Sequence, residues 1–279
     1  LIESAMVAGF LSYGANVKLL GVMPTPAVAY LTRKLQADAS VVISASHNTF
    51  EFNGIKYFSN KGMKIPDSLE EEIEEVMDSG KIDELTAISS KIGVSEYRAD
   101  LLDEYVYFFR KNFDDNFEKI NKDNFVVGID TANGATSVVA DKVFTVLGIK
   151  HHILNDSPNG ININDGCGST HLEMLKQYVI DKKCSLGIAY DGDGDRCLAV
   201  DENGNEIDGD KIIAIISLST YVAKIQEKGK DQISRPTRLL LALTIVTVPV
   251  LLIVKQPDYG TAITFIIATI FILFVAGIK

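Results

Sequence analysis

The chain has 279 residues, 47% of them hydrophobic, and a formal net charge of −10. That length accommodates about two domains, and an acidic body excludes a nucleic-acid partner held by a basic face. Three cysteines, Cys167, Cys184 and Cys197, show no C-x-x-C spacing, which excludes a disulfide framework and fits a reducing compartment.

An apolar helical pattern starts at once, from Ile2 to Tyr13, so the expectation is a chain whose natural start lies upstream. The opening residues lack the basic n-region and long apolar run of a signal peptide. Ala15 to Gly21 reads as a strand. Pro24-Thr25-Pro26 marks a turn, with Thr25 placed to cap a helix and Pro26 at its first position. The helix continues from Val28 to Ala37. Ala39 to Ile43 is a short apolar strand of the kind buried in parallel sheets. It enters a polar loop, Ser44-Ala45-Ser46-His47-Asn48, before another strand from Gly54 to Phe58. Residues 68–79 form an acidic amphipathic helix, and 97–113 a helix leading into a second unit.

In that unit Phe125 to Asp130, His151 to Leu154 and Leu186 to Tyr190 read as strands. A helix spans Ala135 to Leu147 and stops at Gly148. Thr170 is placed to cap another that runs to about Lys183. Alternation of this kind implies a parallel, three-layer α/β sheet with ligand loops at the carboxyl ends of its strands. Both the Ser44–Asn48 loop and the loop after Tyr190 fall at such ends. The last fifth differs. Leu239 to Val254 and Gly260 to Ile278 carry no charge over 16 and 19 residues, the second long enough to span a bilayer. From Lys224 onward seven basic and three acidic residues make the segment +4 and leave the remainder at −14. Lys224, Lys228, Lys230, Arg235 and Arg238 precede the two runs and Lys279 follows them. The positive-inside rule then puts both ends of a two-helix transmembrane hairpin, and the body, in the cytoplasm. A buried soluble helical hairpin is the alternative.

Asp191-Gly192-Asp193-Gly194-Asp195-Arg196 carries the chemistry. Neighbouring carboxylates resist ionising together, and a hard divalent cation with oxygen ligands removes the conflict. Glycines let the backbone turn until the oxygens converge, while Arg196 keeps its charge and suits a phosphate. A solvated acidic turn is one other reading. An EF-hand loop is another, since Asp191, Asp193, Asp195 and Glu202 fall at loop positions one, three, five and twelve. It places Arg196 where that loop has its glycine, and Cys197 to Val200 reads as a strand. Ser46, after its buried strand, is either an ordinary loop residue or a hydroxyl that carries a phosphoryl group. The second requires a cation and basic side chains, which Lys56 and Arg196 could supply. His47 and Asn48 would orient the loop.

Ser44-Ala45-Ser46-His47-Asn48 with Asn53-Gly54-Ile55-Lys56, and the Asp191–Arg196 hexapeptide, resemble the phosphoserine and metal loops of the α-D-phosphohexomutases. Asn162-Ile163-Asn164, Cys167-Gly168-Ser169-Thr170-His171 and Pro24 to Leu31 are similar to the phosphoglucosamine mutase branch. Thr49 departs from the family's usual proline. The resemblance covers about residues 1–215. It implies two three-layer α/β/α domains, 1–95 (without its start) and 96–205, and a stub of a third at 206–222. It further implies an isomerase that interconverts glucosamine 6-phosphate and glucosamine 1-phosphate through phosphorylated Ser46 and a bisphosphate intermediate. Ser46, Asp191, Asp193 and Asp195 would hold Mg²⁺, with Lys56 and Arg196 as acid/base and phosphate-contacting residues. The family's sugar-selecting and C-terminal phosphate-binding motifs are not found, so weak activity or none is expected of this chain. Residues 223–279, around Val254 to Ala262, resemble the SEDS rod-shape and cell-division membrane glycosyltransferases; Asp258 stands at a position implicated in that family's function, but it reads here as a loop residue at the membrane edge. The join falls within 216–232, as a spliced reading frame or a genuine fusion. An integral membrane fragment without mutase activity, and a metal-binding module without catalysis, are the competing readings.

Overall fold

The computed structural model describes residues 1–79, 87–112 and 123–226, with Thr244 and Thr247 further along. The chain divides into two compact units, Leu1–Asn205 and Glu206–Lys279. Among the described residues of the first, helices α1 (Ile2–Ser12), α2 (Thr25–Lys34), α3 (Asp67–Asp78), α4 (Leu101–Asn112), α5 (Ala140–Val146) and α6 (Glu173–Lys182) alternate with eight strands. These are β1 (Val17–Leu19), β2 (Ala39–Ser44), β3 (Gly54–Ser59), β4 (Ser95–Tyr97), β5 (Val126–Asp130), β6 (Lys150–Leu154), β7 (Leu186–Tyr190) and β8 (Cys197–Asp201).

The α/β character is as expected, but two strand directions are not. In the first part β1 pairs in parallel with β4, whereas β2 and β3 run antiparallel, with Val42 opposite Lys56. In the second part β6, β5 and β7 are parallel, and β8 returns antiparallel to β7. Connection length explains both reversals. A parallel pair needs a crossover of about a dozen residues or more, usually with a helix, while an antiparallel pair needs only a turn. Residues 45–53 and 191–196 are too short for a crossover. The serine and aspartate loops are therefore both tips of antiparallel pairs.

Three layers are evident around β5. Val127 and Ile129 pack with Ala140 of α5 on one face. Gly128 points to the other, where Leu175 and Tyr178 of α6 cover it, as the two-residue period of a strand requires. A larger core joins the two parts: Ala27, Val28 and Leu31 of α2, Val42 and Phe58 of the hairpin, Leu101, Tyr105 and Val106 of α4, and Val143 of α5. Helix α4 is thus wedged between α2 and α5, with Lys34–Glu104 and Lys142–Asp103 ion pairs along its sides.

Local expectations fail at three places. Thr25 does not cap α2; Pro24 occupies that position and no side chain caps it. The helix expected from Ala135 is a 3₁₀ turn, Ala135–Val138, followed by the shorter α5. Thr170 ends a 3₁₀ turn, and α6 starts at Glu173 after an uncapped Leu172. In the second unit β9 (Glu206–Ile207) precedes α7 (Gly209–Gln226), whose first turn is capped by Asp208 Oδ1 accepting from Lys211 N at 2.9 Å. Among the described residues no helix is long and apolar enough to cross a membrane. The expected hairpin, 239–254 and 260–278, lies outside them apart from Thr244 and Thr247, which are helical.

Candidate active site

The two hairpin tips meet. Ser44 ends β2 and its Oγ accepts from Ser46 N at 2.8 Å, while Asn48 N donates to Ala45 O at 3.0 Å. Between these bonds Ser46 sits in the left-handed region, φ 56°, uncommon for a residue with a Cβ. Its carbonyl accepts from Gly192 N, inside the aspartate loop, at 3.1 Å. Asn164 Nδ2 donates to the same carbonyl at 2.9 Å and to Asn48 O at 2.7 Å. Gly192 cannot be larger: a Cβ there would lie 2.6–2.7 Å from Ile163, Asn164 Nδ2 and Ser46 O.

The aspartate loop closes on itself. Asp191 N donates to Arg196 O at 3.3 Å and Gly194 N to Asp191 O at 3.1 Å; Arg196 N donates to Asp191 Oδ1 at 3.2 Å. One carboxylate oxygen from each of Asp191, Asp193 and Asp195 falls in a cluster no wider than 4.8 Å. Asp191 and Asp193 are fully buried. Thr25 Oγ1 donates to Asp193 Oδ2 at 2.7 Å, and Thr25 N to Asp193 O at 2.8 Å. Lys56 Nζ lies 2.6 Å from Asp193 Oδ2 and 3.0 Å from Asp195 Oδ2.

That leaves Asp191 Oδ2 and Asp193 Oδ1 buried without a hydrogen-bond partner among the described residues. Buried carboxylate oxygens are costly to leave bare, and two of them in this cluster fit a hard divalent cation held with Asp195. The electrostatics agree. Burial, and then the charge of Asp193, pushes the Asp191 carboxyl up to about 6. Burial also pushes Asp193 upward, but hydrogen bonds from Lys56 and Thr25 outweigh it and hold that carboxyl below its ordinary range. For Lys56 burial alone would lower the ammonium; the bonds to Asp193 and Asp195 prevail and raise it.

The structure thus gathers Lys56, Asp191, Asp193, Asp195 and the backbone of Ser46 and Asn48. Arg196 closes the loop through its backbone, while its mostly exposed guanidinium has Nε 3.9 Å from Asp195 Oδ1. Asn48 takes part through its carbonyl. His47 Nδ1 is buried without a partner among the described residues, so the expected orienting hydrogen bond does not arise at that atom. Sequence reasoning missed the roles of Thr25, Asn164 and the Gly192 amide. Pro24-Thr25-Pro26 and Asn162-Ile163-Asn164 stood out as motifs, but nothing local showed what they would touch.

Residues 1–83 match the family model described as phosphoglucomutase/phosphomannomutase, alpha/beta/alpha domain I, and residues 103–204 match domain II. Residues 210–279 match the model described as cell cycle protein (FTSW_RODA_SPOVE). The phosphoglucosamine mutase of Ruminiclostridium cellulolyticum is 48% identical over 218 residues, 78% of this chain and 47% of that protein. That of Clostridium botulinum strain Eklund 17B is 48% identical over 231 residues, 83% and 50% respectively. The chain spans about half the length of the curated relatives it matches. A crystal structure of a phosphoglucomutase/phosphomannomutase family protein from Burkholderia thailandensis shares the fold with TM-score 0.63 and 21% identity, over 80% of this chain and 48% of that one. Over residues 1–204 the chain therefore belongs to the phosphoglucomutase/phosphomannomutase family.

Proposed function

We propose that residues 1–205 form a phosphoryl-transfer centre of the phosphoglucosamine mutase type, with a phosphoserine domain at 1–95 and a metal-loop domain at 96–205. Ser46 is the phosphoryl carrier. Asp191, Asp193 and Asp195, with a phosphoserine oxygen, would hold Mg²⁺, which when bound would offset charge on the transferring phosphoryl group. The sugar hydroxyl attacks phosphorus as its proton leaves to solvent, the bond from phosphorus to Ser46 Oγ breaks, Lys56 protonates that oxygen and regains a proton from solvent, and a bisphosphate forms. After it reorients, its other phosphate returns to Ser46, so glucosamine 6-phosphate and glucosamine 1-phosphate exchange. Lys56 is an ammonium at neutral pH, and its bonds to Asp193 and Asp195 raise it further in the metal-free site, which suits a proton donor and phosphate contact better than a resting base. The exposed Arg196 guanidinium is free to meet a substrate phosphate. His47 and Asn48 shape the loop.

The observation that carries this reading is the backbone contact of the serine loop with the Asp191–Arg196 loop, two of whose buried carboxylate oxygens lack a hydrogen-bond partner among the described residues. Identity of 48% to phosphoglucosamine mutases supports the amino-sugar phosphate as substrate. With a different family matched from residue 210 onward, turnover by this polypeptide is weak compared with those relatives. Label exchange between glucosamine 1,6-bisphosphate and the monophosphates tests the reading. It should require Mg²⁺ and vanish in Ser46→Ala; exchange that survives in Ser46→Ala defeats it.

The match over 210–279 favours a second reading: a membrane fragment of the SEDS kind, its hairpin anchoring a cytoplasmic body. Extraction from membranes by detergent but not by high salt would support it, and full recovery in the soluble fraction would overturn it.

A further inference from the structure

The 155–168 connection between β6 and α6 forms a strap fixed at several points to the end of β5. Gly168 N donates to the buried Asp130 Oδ2 at 2.9 Å. Asn164 N donates to Ala132 O at 2.9 Å. Asn133 holds both sides, accepting from Ser157 N at 3.2 Å and donating to Asn162 O at 3.4 Å. Ala132, Asn133 and Asn164 all lie in the left-handed region, with φ of 55°, 48° and 57°. Such backbone persists only where surroundings over-determine it. The product of this construction is one buried carboxamide delivered across the boundary. Asn164 Nδ2 spends its two protons on Ser46 O and Asn48 O, 118 and 116 residues away.

We infer that Asn164 is a positioning residue for Ser46, holding the serine's peptide in its left-handed conformation and so fixing where the hydroxyl stands relative to the aspartates. The inference rests on the reading of Ser46 as phosphoryl carrier. Three features favour the inference over simple loop packing. The carboxamide donates to two carbonyls that flank His47, so both ends of the reacting tripeptide are pinned. The Gly192 amide donates to the same Ser46 carbonyl from the aspartate loop, coupling the serine's placement to that of the metal ligands. Both side-chain donors of Asn164 go to backbone carbonyls of the serine loop rather than to the aspartates, so its removal should leave metal affinity in place. Misplacing a reacting group by about an ångström can slow transfer by about a hundredfold.

The test uses the full chain in three forms: wild type, Asn164→Ala and Asn164→Asp. The aspartate keeps the size but replaces both donors with acceptors. In each variant the backbone amides of 46–49 should exchange hydrogen at least about tenfold faster, with other regions unchanged. Mg²⁺ affinity should stay within about threefold. The rate of Ser46 phosphorylation by glucosamine 1,6-bisphosphate should fall by about ten- to a hundredfold. Wild-type protection at 46–49 in an Asn164→Asp chain, or an unchanged phosphorylation rate in either variant, overturns the inference. Should both variants unfold, the wild type decides through selective ¹⁵N-asparagine labelling. A slowly exchanging Asn164 side-chain amide supports the latch, and a freely exchanging one refutes it. If wild type takes no phosphoryl group at all, the carrier reading falls, while amide protection still judges the latch itself.

Discussion

Thr25 offers a quantitative test of how the first part of the chain holds the aspartate loop of the second. Thr25→Val removes the hydroxyl that donates to Asp193 Oδ2 at 2.7 Å and keeps the shape of the side chain. A hydrogen bond to a charged, buried acceptor contributes roughly 1.5–3 kcal/mol. The lower end applies here, because Lys56 Nζ stays 2.6 Å from the same oxygen and does not leave it bare. About 1.5 kcal/mol corresponds to roughly a tenfold loss of affinity, at the low end of the effect expected when a partner that orients a metal ligand is removed. The backbone bond from Thr25 N to Asp193 O at 2.8 Å survives, so the fold should not loosen in proportion. Titration calorimetry with Mg²⁺ or Mn²⁺ measures the affinity and thermal melting measures the fold. Thr32→Val is the control. Thr32 is also buried on α2, but its hydroxyl bonds Val28 O and Ser40 Oγ, so it should lose about 1 kcal/mol of stability without losing metal affinity. Equal affinity in Thr25→Val and wild type would refute the reasoning.

Lys56→Met removes the cation between Asp193 and Asp195. Discounted for the partial exposure of Lys56 and Asp195, the loss in metal-free protein should be about 1–2 kcal/mol, recovered at saturating Mg²⁺ and readable by urea denaturation. Asp191 titrates near 6 in the fold, above its unfolded value, so the native state binds the extra proton and metal-free stability falls as pH rises from about 4 to 6. Asp193 is shifted the other way, and its window lies below that range. Melting in chelator should therefore show higher stability at pH 5 than at pH 7, and Mg²⁺ affinity should weaken below pH 6; flat profiles would contradict this. Gly192→Ala places a Cβ against Ser46 O and Asn164 Nδ2, which should destabilise by about 1–3 kcal/mol and loosen both loops in hydrogen exchange.

Much of this was legible because it is local. Asp191 to Arg196 needs no partner to be read as a cation site, since alternating carboxylates and glycines state their own electrostatic problem. Strands such as Leu186–Tyr190 follow from short apolar runs. Strand direction was not visible in such runs, although the lengths of 45–53 and 191–196 contain it. Strand β4 was missed because three exposed residues carry no apolar signal. Thr25 shows the limit of local rules most clearly. Beside Pro26 it has the form of a helix cap, yet its hydroxyl is used by a carboxylate 168 positions away. Asn164 is the same case, its φ of 57° and its two acceptors being set by contacts at long range.

The most direct test of the central claim, that the Ser46 loop and the aspartate cluster make one phosphoryl-transfer centre, is phosphosite mapping by peptide mass spectrometry. The full chain would be incubated with glucosamine 1,6-bisphosphate, with and without Mg²⁺, alongside Asp193→Asn. The account predicts one phosphoryl group on Ser46, formed with Mg²⁺ and strongly suppressed by chelator or by Asp193→Asn. Phosphate on another residue, or labelling of Ser46 that ignores both the metal and Asp193, would contradict it.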